Sequence, residues 1–159
     1  MGLCRQDCVL LKELRFLLDG KSVLALGNPF FERSALNKLV PSDILDYCFE
    51  LERNQRARYL FKDIWGAREF SILDISAEEG ADIVHDMNSD EPPSHYSGHF
   101  DLVLDCGTQE HVFDNKNFIN NVFMLLRVGG YYYFNVPASG MLEHGFRQYS
   151  PTFFYDLCL

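Results

Sequence analysis

The sequence predicts an α/β protein: one domain over residues 1–159, built as a doubly wound, mainly parallel sheet of about five strands with flanking helices. Three observations carry this. Ser22–Leu26 (SVLAL), Glu69–Leu73 (EFSIL) and Phe100–Leu104 (FDLVL) are short, apolar-rich runs, as strands buried on both faces are. Segments with helical spacing or turn residues separate them, so the strands are joined by crossovers rather than hairpins. The composition, 47% hydrophobic and 23% charged, fits a packed core and argues against disorder, collagen and coiled coil. A chain of 159 residues can bury roughly 68–70% of its unfolded surface.

Each element has its own signal. Residues 5–19 carry Val9, Leu10, Leu14, Leu17 and Leu18 at helical spacing, with Gly20 as the stop. The first strand, Ser22–Leu26, runs into the turn Gly27-Asn28-Pro29. Residues 30–68 read as mostly helical, with Ser42 as a cap after Pro41 and with Arg53, Arg56 and Arg58 on a solvated face. Strands follow at Glu69–Leu73, Ala81–His85 and Phe100–Leu104, with a polar, two-proline loop at Asp90–His99. Asn117–Leu126 has helical spacing and stops at Val128-Gly129-Gly130; Tyr131–Val136 (YYYFNV) is the fifth strand. Ser150-Pro151 starts a last helix. Right-handed crossovers make the sheet Rossmann-like.

Charge and cysteine content narrow the function. The net charge is −9; residues 1–68 hold 11 basic and 9 acidic side chains, residues 69–159 hold 3 and 14. An acidic half repels phosphate backbones, which argues against nucleic acid. No apolar run approaches the ~20 residues of a membrane helix. The charged N-terminus is a poor secretory signal, and Gln6 departs from the myristoylation pattern after Gly2. Five cysteines (4, 8, 48, 106, 158) at irregular spacing complete no metal motif. The expectation is a reduced, cytoplasmic protein with buried thiols and no metal site.

Three strands end in an acid: Asp74, Asp86 and Asp105. Ligands of open α/β sheets bind beyond the carboxyl ends of the strands. Carboxylates there accept hydrogen bonds from ribose hydroxyls or an exocyclic amine and repel phosphates, so the crevice favours a cationic or neutral nucleoside. His111, after the third of these acids, and His144, in a loop after the fifth strand, are the acid/base candidates, because imidazole can titrate near neutral pH. Phe113, Tyr131–Tyr133, Phe146, Tyr149, Phe153 and Phe154 either shape an acceptor pocket or pack in the core or against a lost interface, the packing role being favoured.

VLALG at 23–27, SILDIS at 71–76, EGADIVHDMN at 79–88, FDLVLDCGTQEHVFD at 100–114 and LLRVGGYYYFNVP at 125–137 together resemble the class I S-adenosylmethionine-dependent methyltransferases. The tail HGFRQYSPTFFYDL at 144–157 is similar to a subset of them encoded near glycan and small-molecule pathways. The resemblance covers about residues 22–157. It implies S-adenosylmethionine as cofactor and methyl transfer to a small-molecule or glycan-type acceptor. It also implies that Gly27 belongs to the cofactor loop, that Asp74 holds the ribose hydroxyls, and that Asp86 and Met87 meet the adenine. Asp105, Cys106 and Gly107 would pass beside the methionine part, with Glu110 and His111 lining the cleft.

The chain departs from the family pattern in two places. Ala25 stands where an acid is usual, and Gly27 is followed by Asn28, Pro29, Phe30 and Phe31 instead of small residues. Nothing after Pro137 reads as a further strand, so the last strands of the family fold are expected to be missing and Tyr131–Val136 to lie at a sheet edge. Such an edge invites a partner protein or a second copy. The alternative reading is therefore a non-catalytic, methyltransferase-like module that binds a partner. A nicotinamide dehydrogenase is disfavoured, since no G-x-G-x-x-G follows the first strand.

Overall fold

The computed structural model describes residues 2–157. Its centre is a five-stranded, all-parallel sheet. The strands are β1 (Ser22–Leu26), β2 (Glu69–Asp74), β3 (Ile83–Val84), β4 (Phe100–Asp105) and β5 (Leu126–Phe134), in spatial order β3-β2-β1-β4-β5. The α/β, Rossmann-like class expected from the sequence is the one observed. β1 and β4 are buried along their whole length, because helices cover both faces of the sheet.

The strand period of two divides the core. Val23, Ala25, Ile72, Leu102 and Leu104 face one layer, packed by α1 (Arg5–Glu13), α2 (Arg33–Leu36), α3 (Ser42–Glu50) and α4 (Arg53–Arg58). Leu24, Leu26, Leu73 and Val103 face the other, packed by Phe118, Ile119, Val122 and Leu125 of α5 (Asn115–Leu125). α6 (Pro151–Leu157) starts at the proline, as expected, and rests on the same side through Phe153 and Leu157.

Several elements differ from the sequence expectation. The strand expected over 81–85 shrinks to Ile83–Val84, because the Asp82 carboxylate accepts the Ile72 amide (2.8 Å) where a ladder bond would run. β5 begins at Leu126, which pairs with Phe100, and the register then jumps to Leu102 opposite Tyr131, so Arg127–Gly130 bulges out of the ladder. Ser42 is the first helical residue rather than the cap, a place taken by Pro41.

The three arginines also do more than face solvent. Arg56 donates to the Leu51 and Phe49 carbonyls and Arg53 lies 3.8 Å over the Phe30 ring. Arg58 holds the β2–β3 crossover through the Phe70 and Gly80 carbonyls and Asp82.

Among the described residues β5 lies at one edge of the sheet, with β4 as its neighbour, and β3 at the other. Tyr131 and Phe134 are exposed, but the chain covers part of them: Phe16 meets Tyr131 edge-on at 6.3 Å and Phe154 stacks on Phe134 at 3.8 Å. No described helix is long and apolar enough to cross a membrane. Cys4, Cys8, Cys48 and Cys106 are free thiols; Cys158 lies outside the described residues.

Candidate functional site

The order β3-β2-β1-β4-β5 reverses between β1 and β4, and a cavity of about 400 Å³ opens there, at the carboxyl ends of the strands. Each strand end supplies part of its wall. β1 contributes Leu26, Gly27 and Asn28, followed by Pro29 and Phe30; β2 contributes Leu73 and Asp74. The segment after β3 contributes His85, Asp86 and Met87, and the turn after β4 contributes Cys106, Gly107 and Thr108, with His111 beyond it.

Gly27 closes β1 in the left-handed region (φ +72°) while donating its amide to the Leu73 carbonyl. A Cβ there would stand 3.1 Å from Thr108 Oγ1 and 3.8 Å from Asp74 Oδ2, so a side chain would narrow the cavity and strain the turn. Thr108 donates its hydroxyl to the Leu26 carbonyl at 2.7 Å and ties the two central strand ends together.

Asp74 accepts the Ser76 amide on Oδ1 (3.2 Å). Asp86 accepts the Asn88 backbone amide and side-chain amide at 2.9 and 2.7 Å, and these bonds hold its carboxyl below the usual carboxylate range. The Asp86–Ser89 segment is pinned to α5: Asn121 donates to the Met87 and Ser89 carbonyls, and Asn117 to that of Asn88. His85 is pushed down by burial, against a smaller opposing effect of Asp86, so its imidazole stays neutral. Burial raises the Cys106 thiol, which makes it an inert wall rather than a nucleophile.

Two buried polar atoms on cavity residues lack partners: Asn28 Oδ1 and His85 Nε2. Buried polar atoms are normally satisfied, so these two are available to a ligand. Sequence reasoning gave neither residue a ligand role, although Asn28 lies in the turn after β1 and His85 in the EGADIVHDMN stretch.

The structure gathers Gly27, Asp74, Asp86, Met87, Cys106, Gly107 and His111 around this cavity. Asp105 is different. Its carboxyl is fully buried, turned into the protein, and accepts the Gly107 and Thr108 amides on Oδ1 and the Tyr132 hydroxyl on Oδ2. Desolvation pushes it up to about 6. It shapes the turn that carries Cys106–Thr108 instead of lining the cavity.

Glu110 and His144 do not line the cavity either, but they meet His111 beside it. His144 Nε2 lies 3.3 Å and His111 Nε2 3.9 Å from Glu110 Oε1. The two imidazoles are perpendicular, with centroids 4.9 Å apart. Phe113 and Phe146, also edge to face at 6.2 Å, stand exposed next to them in sequence.

No protein-family model and no curated protein sequence matches this chain. A crystal structure of an S-adenosylmethionine-dependent methyltransferase from Mesorhizobium loti superposes on 82% of it with a TM-score of 0.49 and 17% identity. The superposition takes in 52% of that structure, so the present chain spans about half the length of its neighbour.

Proposed function

We propose that the chain binds S-adenosylmethionine in the switch-point cavity and transfers its methyl group to a small-molecule or glycan-type acceptor. The observation that carries the reading is an acid-walled cavity of about 400 Å³ at the reversal of strand order, with two orphaned buried polar atoms on its walls. Its size suits a nucleoside-sized ligand. Its acids suit ligand donors and a positive charge and disfavour a pyrophosphate.

In this reading Asp74 accepts from the ribose hydroxyls, and Asp86, Met87 and the neutral His85 receive the base. Gly27 leaves room for close approach, and Cys106 and Gly107 wall the methionine end. The bound cofactor supplies an already activated methyl group. What remains for the chain is to align and desolvate the acceptor, so the site needs no strong nucleophile of its own.

Calorimetric titration with S-adenosylhomocysteine tests this. Asp74→Ala should lower its affinity roughly 5- to 150-fold, the equivalent of about 1–3 kcal/mol for hydrogen bonds to a charged group. Unchanged affinity in that variant refutes the ribose assignment.

A second reading, a non-catalytic module that binds a partner protein, is favoured by one feature. Pro29 offers no amide and Phe30 occupies the wall where small residues would let a cofactor approach. Absence of binding by both S-adenosylmethionine and S-adenosylhomocysteine at millimolar concentration would select it.

A further inference from the structure

Glu110, His111 and His144 form a cluster that neither the cavity nor methyl transfer explains. One ligand atom from each lies within 4.8 Å of the others. We propose that these three side chains bind a borderline divalent transition-metal ion, of the Zn2+ and Co2+ kind, at the edge of the cavity. The cation site rests on its own geometry. Only its service to a methyl acceptor rests on the reading above.

Burial makes the case first. The Glu110 side chain is 0% exposed, and its Oε2 is buried without a partner. Its ion-pair partners among the described residues are the two imidazoles. The two imidazoles face Oε1 while Oε2 has no partner, so burying this carboxylate is costly as it stands, and a cation shared with the imidazoles lowers the cost of the buried charge.

Donor chemistry and spacing agree. Two imidazoles and one carboxylate are a ligand set for Zn2+ and its neighbours in the first transition row, with coordination positions left open. Mg2+ and Ca2+ prefer all-oxygen sets. Tetrahedral bonds of about 2.1 Å place ligand atoms about 3.4 Å apart. The two carboxylate–imidazole separations, 3.3 and 3.9 Å, are already close to that. The His144 and His111 side chains are 32% and 48% exposed.

The loop bearing His144 is also fixed in place. Phe146 donates its amide to the Glu110 carbonyl (2.6 Å), and Arg147 donates to the Val112 carbonyl (2.7 Å) and to that of Phe113. Gly145, at φ +70°, lets this loop lie against Glu110: a Cβ there would come within 2.8 Å of the Glu110 carbonyl and Cγ. Ligands 34 residues apart in sequence are thus held together by the contacts of residues 145–147, just after His144, with the Glu110–Phe113 segment. Because His111 also lines the cavity, a cation here stands where an acceptor hydroxyl or carboxylate oxygen would be gripped. In this proposal His111 and His144 serve as ligands, an alternative to the acid/base role expected from the sequence.

The test uses the full chain, stripped with a chelator and titrated with Co2+ and then Zn2+. One equivalent of Co2+ should bind with visible d–d bands and no thiolate charge-transfer band, and Zn2+ should displace it. His111→Ala and His144→Ala should each weaken binding tenfold or more while thermal unfolding shows both variants folded. Their half-exposed rings make that the expected result, which Glu110→Gln, buried, does not guarantee. No binding of either ion at about 1 mM, or binding unaffected by both histidine variants, or a thiolate band, overturns the proposal. The readout needs no cofactor, so failure of S-adenosylhomocysteine to bind leaves it standing and counts against the methyl-transfer reading alone.

Discussion

Replacing Asp105 by alanine is expected to destabilise the protein by roughly 3–4 kcal/mol. The fully buried carboxyl accepts three hydrogen bonds, from the amides of Gly107 and Thr108 and from the Tyr132 hydroxyl. Its loss strands buried donors at about 1–3 kcal/mol each, not additively. For a chain of this size that lowers Tm by roughly 6–16 °C. Asparagine separates shape from charge. Its oxygen still accepts the two amides and its amide can donate to the tyrosine oxygen, so the turn is kept.

What the asparagine variant removes is titration. Desolvation raises the Asp105 pKa from 3.8 to about 6 in the folded chain. Between those values the folded protein holds a proton that the unfolded chain has released, so the stability from Asp105 falls as pH rises through the window and is level above it. A carboxamide in its place does not titrate. The stability of Asp105→Asn relative to the original chain should therefore climb by roughly 2 kcal/mol between pH 4 and pH 7. Other titrating groups, such as Glu69 and Asp86, whose pKa values are lowered, act equally on both chains and cancel. Urea unfolding at the two pH values measures the gap; a constant gap refutes the assignment.

Asp105 also shows where sequence reasoning stops. Asp74 and Asp105 look alike, each an acid closing an apolar run. β4 is buried along its whole length, its last residue included, so its terminal acid turns inward and takes up the amides of its own turn. Asp74 closes β2, whose two end residues are only partly buried, and joins the cavity wall. The central strands were legible to within a residue because burial on both faces writes a plain apolar run. The outer strands were not: β3 yields a ladder position to an aspartate, and β5 takes in a bulge. Asp74 and Asp86 could be grouped from sequence because strand ends meet at a switch point, and Gly27 and Met87 joined them through the family resemblance. The meeting of Glu110 with His144 depends on the path of the loop after β5, which no local pattern encodes. An E-H pair after a strand and a G-flanked histidine downstream were the available signals, and neither shows that the two side chains meet.

Asp7 is the second residue whose removal should cost the most, and nothing in the local sequence marks it. It lies in the first turn of α1, only 4% exposed, and its carboxylate reaches across to the outermost strand region. Oδ2 accepts the Cys4 amide at 2.8 Å and closes the helix N-terminus, where negative charge is favoured. Oδ1 accepts the Tyr133 hydroxyl at 2.5 Å, and both oxygens accept from Asn135 Nδ2. These bonds join segments 126 and 128 residues apart. They clamp β5, which has one neighbouring strand among the described residues, to the helical layer. Burial and this bond raise the Tyr133 pKa, so the phenol remains a donor at neutral pH. Asp7→Ala should cost roughly 2–3 kcal/mol, with several donors losing a charged acceptor but some regaining water. Amide exchange should quicken in β5 before it does in β1 or β4, since the clamp is local. A double-mutant cycle with Tyr133→Phe isolates the pair and should return a coupling of roughly 1.5–3 kcal/mol, the range for a hydrogen bond to a charged group. Additive single effects, or uniform loss of exchange protection over the whole sheet, would mean that β5 is held by its packing on β4 and not by Asp7.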